Sequence, residues 1–199
     1  MSIPLPTTRL PKPKVHSLQV GKKLVRFYNP FLQDWNIGRY YGPIRDQRFD
    51  HQPSPKGDSE PESVWYSSGS LIGAVAESFG RDRVLDKNCG RRVCIVELSV
   101  AFDVVDFCGV GPRHLGLDQQ ICTTTDYRAT QTWARALYLQ FTDLVGIRWR
   151  GRQVSSENVV LTDRADLETL VLLSDHDISE AAIWPRIANA ARKCRITIV

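Results

Sequence analysis

Four side chains in this sequence have types and spacing that suit chemistry on a phosphate-bearing, ring-bearing molecule: Arg26, Arg48, Tyr66 and Glu77. Three of them fall in one stretch. Arg48 stands in a polar, aromatic context, Arg48-Phe49-Asp50. Tyr66 lies in a short β-type run, Val64-Trp65-Tyr66-Ser67-Ser68, and Glu77 is the one carboxylate in the apolar and small-residue run Gly69–Phe79. A guanidinium fork matches phosphate oxygens in two-point contacts. An aromatic ring stacks on a planar heterocycle, and an isolated carboxylate handles a proton or a developing positive charge. The same residues also read as a surface loop joining an ordinary strand and helix, with Glu77 solvated or paired to Arg81 one turn on. Residue types alone leave both readings open.

To act together these groups need elements that bring them to one place. Lys22–Tyr28 has the pattern of a strand, with Leu24, Arg26 and Tyr28 on one face and Val25 and Phe27 on the other. An arginine inside such a strand points to an edge or into a polar pocket. Residues 31–50 lack periodicity but carry aromatics, arginines and glycines, so they form a loop that frames a site. Residues 51–63, rich in Pro, Ser and charge, read as an exposed insertion. Ser68 or Ser70 caps the helix that follows. Leu71, Ile72, Val75 and Phe79 form its core face, while Gly73, Glu77 and Arg81 form a second line on which Gly73 admits a close neighbour.

Downstream the pattern predicts strands at 91–100 and 101–107, then a loop over 108–118 that matches no phosphate-loop motif. A helix over 127–141 follows a start signal at Thr123–Asp126. Next come a short strand at 143–149, a polar turn over 151–157 and a strand at 158–161. Residues 166–173 fit helix or strand. A helix over 178–193 is interrupted by Pro185, and 195–199 forms a final strand in the sheet. This mixed order, without βαβα alternation, predicts an α+β fold with a largely antiparallel sheet and helices packed on it.

The chain has 199 residues, 42% hydrophobic and 24% charged. That is enough for one domain with a real core, taken as residues 21–199. Residues 1–20, with Pro4, Pro6, Pro11 and Pro13 among basic residues, form an extended arm that either wraps a partner or second subunit or stays a poorly ordered tail. A net charge of +4 is too weak to argue for nucleic acid without a clustered patch, and fits a small anionic ligand. With no secretory signal and no apolar run of membrane-spanning length, the expectation is a cytoplasmic protein without a membrane partner. Five irregularly spaced cysteines read as reduced thiols, and four scattered histidines give no metal motif. The oligomeric state is left open, a homo-oligomer included.

Taken in order, these blocks resemble the RES-domain family, named for an arginine, a glutamate and a serine. The residues that carry the resemblance are Val25-Arg26-Phe27-Tyr28, Gln47-Arg48-Phe49-Asp50-His51, Val64-Trp65-Tyr66-Ser67-Ser68-Gly69-Ser70 and Ala74-Val75-Ala76-Glu77. Later blocks, Thr130–Ala134, Gly146–Trp149 and Asn158–Leu161, extend it to roughly residues 22–165. The family's serine is expected near Arg150-Gly151, where this chain has none. Ser155 or Ser156 in the next turn is the replacement, or the pocket manages without.

The resemblance implies a single-domain fold similar to ADP-ribosyltransferases, with a split, mostly antiparallel sheet. It implies a toxin that destroys NAD+ by cleaving the nicotinamide–ribose bond, as a glycohydrolase or phosphorylase, without a metal. The neutralising partner would be an Xre-like antitoxin with a helix-turn-helix domain. On that reading Arg26 and Arg48 hold phosphates, and Tyr66 packs against the nicotinamide or its ribose. Glu77 stabilises the ribosyl cation and orients the acceptor. Tyr28, Arg39 and Tyr41 are further candidates. The alternatives are ADP-ribose transfer to a macromolecule and a non-enzymatic interaction module.

Overall fold

The computed structural model describes residues 3–40, 47–51 and 63–199. Alternation of apolar and polar residues builds one large mixed sheet. In chain order the strands are β1 (Val15–Leu18), β2 (Lys23–Tyr28), β3 (Arg39–Tyr40), β4 (Ser63–Ser68), β5 (Val84–Leu85), β6 (Arg92–Leu98), β7 (Phe102–Asp106), β8 (Gly146–Arg150), β9 (Glu157–Thr162), β10 (Leu170–Asp177) and β11 (Thr197–Ile198). The helices are α1 (Leu71–Phe79), α2 (Gln120–Thr123), α3 (Tyr127–Gln140) and α4 (Trp184–Lys193). The large sheet runs β1-β7-β8-β9-β4-β2-β6-β10, with β3 beside β4. Its pairs are antiparallel apart from β7–β8. The α+β class and the largely antiparallel sheet are as expected.

Side-chain alternation divides the core by face. On one side Leu24 and Tyr28 of β2, Trp65 of β4, Val96 of β6 and Leu161 of β9 pack together. On the other, α3 covers Val64, Ile147, Trp149 and Val160. On that same side α1 and α4 cover Val25 and Phe27, through Val75, Phe79 and Ile187. Ser70 caps α1, its side chain accepting from the Gly73 amide at 3.2 Å. Asp126 caps α3 from within the expected start signal.

Three segments differ from expectation. Pro185 does not interrupt a helix; it sits in the first turn of α4, where its missing N–H has no intrahelical partner to lose. The C-terminal strand lies outside the large sheet: β11 pairs in parallel with β5 as a separate two-stranded unit. Five alternating residues fix a strand but not its neighbour. Residues 166–173 resolve into a short 3₁₀ turn leading into β10.

The N-terminal segment packs on its own chain. Leu10 is 5% exposed, and its amide and carbonyl are bracketed by the Gln140 side chain at 2.8 and 2.9 Å. The Trp133 indole donates to the Pro4 carbonyl at 2.7 Å, and β1 forms one edge of the sheet on β7. Leu10→Ala is therefore expected to destabilise the protein by about 2 kcal/mol or more, measured as a lower urea midpoint at unchanged slope. A tail without packing would show no shift. The proposed insertion at 51–63 lies almost wholly outside the described residues.

Candidate functional site

Between β2 and β4 the sheet splits. These neighbours share a single register pair, Val25 opposite Ser68, and then part. Each is held firmly on its other side, β2 by β6 and β4 by β9, so the opening between them leaves both strands anchored. The gap is lined by Val25, Arg26 and Phe27 on one wall and by Tyr66 and Ser67 on the other, and Glu77 of α1 closes it. It holds about 50 Å³.

Arg26 lines this cleft from β2, with its guanidinium on the Trp65 side of the sheet and most of its hydrogen-bonding capacity unused. It is 3% exposed, and Nη2 donates to the Ile37 carbonyl at 3.0 Å. Its Nε and Nη1 are buried without a partner. The guanidinium lies 5.1 Å from the centre of the Trp65 ring. Burial pulls its pKa down to about 10, with the Arg39 charge adding to the fall. A cation in this condition destabilises the protein unless something else supplies acceptors.

The Tyr66 hydroxyl is doubly engaged. It donates to Asp50 Oδ1 at 3.0 Å and accepts from the Phe49 amide at 3.1 Å. Asp50 is fully buried, and its other oxygen takes Arg39 at 2.6 Å and the Gln47 amide at 2.9 Å. Burial first, then the Asp50 charge, push the Tyr66 pKa well up. Tyr66 therefore serves as a fixed ring, set edge-on to Trp149 at 6.1 Å, and not as a proton acceptor.

Arg48 is also tied into the frame. It donates to the Thr124 carbonyl at 2.8 Å and lies over the Tyr127 ring at 4.9 Å. Its carbonyl accepts from the Thr130 hydroxyl, and Gln131 donates to the adjacent Gln47 carbonyl at 2.8 Å. The guanidinium still acts on Glu77 by charge. Glu77 itself is open to solvent at the mouth of the cleft but has protein close on most sides. Desolvation raises its pKa, against the opposing effects of Arg48, a hydrogen bond from Asn158 and Arg152.

The structure thus brings Tyr66 and Glu77 to one cleft, with Arg48 within electrostatic reach of Glu77, while Arg26 lines the same opening from β2 with its guanidinium on the Trp65 side. Arg39 joins indirectly, through Asp50. Tyr28 does not join: its hydroxyl donates to Asp175 at 2.9 Å, beside Arg92, on the face occupied by Trp65. Tyr41 lies outside the described residues. Ser155 accepts from Arg150 at 3.1 Å, and Ser156 is bonded to Ser68 and Ser70 at 3.0 and 2.7 Å. The hydrogen bond to Glu77 comes instead from Asn158 Nδ2, 2.9 Å from Oε1.

Asn158 and Asp50 were not singled out as site residues from the sequence. A signal was present for Asn158, a polar residue opening the apolar run Asn158-Val159-Val160-Leu161 that continues through the centre of a sheet. Asp50 carried none, because its partners come from three separate segments.

A larger open groove of about 400 Å³ lies across the start of α1, lined by Lys22, Ser70, Ile72 and Ser156. Its lysine is already paired with Glu157 at 2.7 Å. The smaller cleft is the better candidate because its buried cation still lacks partners.

Comparison with known proteins bears on the fold and the family. No curated protein matched the chain. Among solved structures, a chain of the crystal structure of the M. tuberculosis MbcT–MbcA toxin–antitoxin complex has a similar fold. Its TM-score is 0.56 at 14% identity, over 86% of this chain and 92% of that one. The RES domain family model matches residues 29–180. Those residues include β4 and α1 with Tyr66 and Glu77, while β2, the cleft's other wall, lies just before them; on that match the chain belongs to the RES-domain family.

Proposed function

We propose that this protein is the toxin of a toxin–antitoxin pair and that it destroys NAD+ by breaking the nicotinamide–ribose bond. The observation that carries the reading is the opening between β2 and β4, where Tyr66 and Glu77 meet and where the other wall carries Arg26, buried with Nε and Nη1 still lacking partners. Membership of the RES family and a fold shared with a chain of a toxin–antitoxin complex support it. The neutralising partner would be an Xre-like helix-turn-helix antitoxin, and the site of action the cytoplasm. No helix among the described residues is long and apolar enough to cross a membrane.

In this reading Arg26 supplies its free N–H groups to pyrophosphate oxygens, and Arg48 adds positive potential. Tyr66, fixed at its hydroxyl, presents a rigid ring to the nicotinamide end. The C–N bond breaks with its electron pair passing to the nicotinamide nitrogen, which becomes neutral and leaves. The ribose carbon takes on cationic character, and the Glu77 carboxylate stabilises it. An acceptor oxygen then forms the new C–O bond. With water, a proton is released to Glu77 or solvent and ADP-ribose results. With phosphate, the product is the 1″-phosphate.

Purified protein incubated with NAD+ is expected to release nicotinamide, resolved by chromatography with and without phosphate. Intact NAD+ would overturn the reading, and label transferred to a macromolecule would turn it into ADP-ribosylation. Tyr66→Phe keeps the ring and is expected to slow the reaction by less than about tenfold, against about 100-fold for Tyr66→Ala. Equal losses in the two variants would move the role from the ring to the hydroxyl.

A further inference from the structure

We propose that Asn158 is the positioning residue that holds Glu77 in its working orientation, and that glycine at 151 provides the space this contact requires. The inference rests on the reading of Glu77 as the charge-stabilising group.

Asn158 opens the apolar run of β9, opposite Trp149 of β8 and Ser68 of β4. It is fully buried. Nδ2 donates to Glu77 Oε1 at 2.9 Å, whereas Oδ1 has no partner. A carboxamide buried with half its capacity unused costs stability. A well-packed apolar residue would suit this strand better for folding alone. What the amide does supply is a directional donor to one carboxylate oxygen, which fixes the rotamer of a side chain otherwise free at the cleft mouth and leaves Oε2 for substrate.

Gly151 explains why that donor is Asn158. A β carbon at 151 would lie 2.8 Å from Asn158 Nδ2, 3.0 Å from Glu77 Oε1 and 3.0 Å from the Val154 carbonyl oxygen. These distances are shorter than ordinary contacts, and two of them fall on the atoms of the hydrogen bond itself. The backbone at 151 is not left-handed, so space and not conformation excludes a side chain. A serine at 151 and the Asn158–Glu77 contact compete for one volume. This chain has the contact, which accounts for the missing serine without loss of a polar partner for Glu77. The charged groups that act on Glu77 are Arg48 from the loop before β4 and Arg152 from the turn between β8 and β9. Asn158 adds a neutral, directional bond to those two charges.

The test uses the full chain with Gly151→Ala, Asn158→Leu and the double variant. Each is checked for folding by circular dichroism and followed by carboxyl NMR titration of Glu77 and by NAD+ kinetics. Both single variants are expected to raise the Glu77 pKa, because a bond that favours the ionised form is lost. They are also expected to lower kcat about tenfold with KM nearly unchanged, and to move the acid limb of the pH profile upward. The double variant should do no worse than the poorer single, since both act through one bond. Should Asn158→Leu fail to fold, Gly151→Ala alone decides. A folded variant with the wild-type Glu77 titration and acid limb would overturn the proposal, as would multiplying effects in the double. If the wild type leaves NAD+ intact, the functional reading falls, while the NMR titration still decides whether Asn158 holds Glu77.

Discussion

Glu77→Gln is expected to slow NAD+ cleavage by about 100-fold or more while KM stays close to wild type. Glutamine keeps the length of the side chain, and its carbonyl can still accept from Asn158 Nδ2. The change therefore removes the charge and little else. If Glu77 stabilises positive charge that appears only as the C–N bond breaks, its loss falls on kcat and not on binding. The pH dependence has a definite sign. Desolvation raises the Glu77 pKa, so the wild-type rate should fall with acidity from a point above the ordinary glutamate value, and the residual rate of Glu77→Gln should lack that limb. Stability follows the same linkage. A carboxyl whose folded pKa is raised favours the fold when neutral, and that contribution is lost as pH rises through the folded value. Glu77→Gln should therefore melt slightly higher than wild type at neutral pH, with no advantage below the ordinary glutamate pKa. The carboxylate is open to solvent, so this difference will be small. A Glu77→Gln enzyme of wild-type rate would remove Glu77 from the chemistry.

The strands and helices around this cleft were legible because local pattern determines them. Alternation in Lys22–Tyr28 and helical spacing in Leu71–Phe79 are properties of a few neighbouring residues, and tertiary packing confirmed rather than overrode them. Strand partners were less legible. Nothing in Arg195–Val199 specifies pairing with Val84-Leu85 in place of the large sheet, since register and neighbour depend on the course of the whole chain. The site divides in the same way. Arg26, Tyr66 and Glu77 were recognisable by type and order; the cleft brings Tyr66 and Glu77 together, and Arg26 lines it from β2 with its guanidinium over Trp65. Tyr28 shares the strand of Arg26 and its face, yet at the far end of β2 it meets Asp175 from an edge strand 147 residues away. Asn158 and Asp50 act through hydrogen bonds to Glu77 and Tyr66 that no spacing rule predicts. The replacement expected from Ser155 or Ser156 did not emerge, because the turn directs those hydroxyls to Arg150 and to the serines at the start of α1.

Arg26→Met should separate stability from function most sharply. The variant is expected to fold at least as stably as wild type and to bind NAD+ about 100-fold more weakly or worse. On the stability side, methionine removes a buried cation whose Nε and Nη1 have no partner, a defect of about 1–3 kcal/mol. It also forfeits the bond to Ile37 and the stacking on Trp65, worth about 1–2 kcal/mol together. The flexible thioether fills the space left by the stem, so the balance falls near zero or in favour of methionine. The difference should depend on pH in a known direction. Arg26 has a folded pKa depressed to about 10, so its burial cost is fully present below that value and eases as pH rises through it. On the binding side, two charge-assisted bonds to phosphate oxygens at about 1.5–3 kcal/mol each correspond to a loss of about 100-fold or more. Calorimetric melts with and without NAD+ measure both effects. Wild type should gain melting temperature in proportion to the logarithm of NAD+ concentration above its Kd, and Arg26→Met should gain none over the same range. If Arg26→Met instead loses more than about 3 kcal/mol while its NAD+ shift persists, the arginine braces the split between β2 and β4, and phosphate recognition must come from Arg48 and its neighbours.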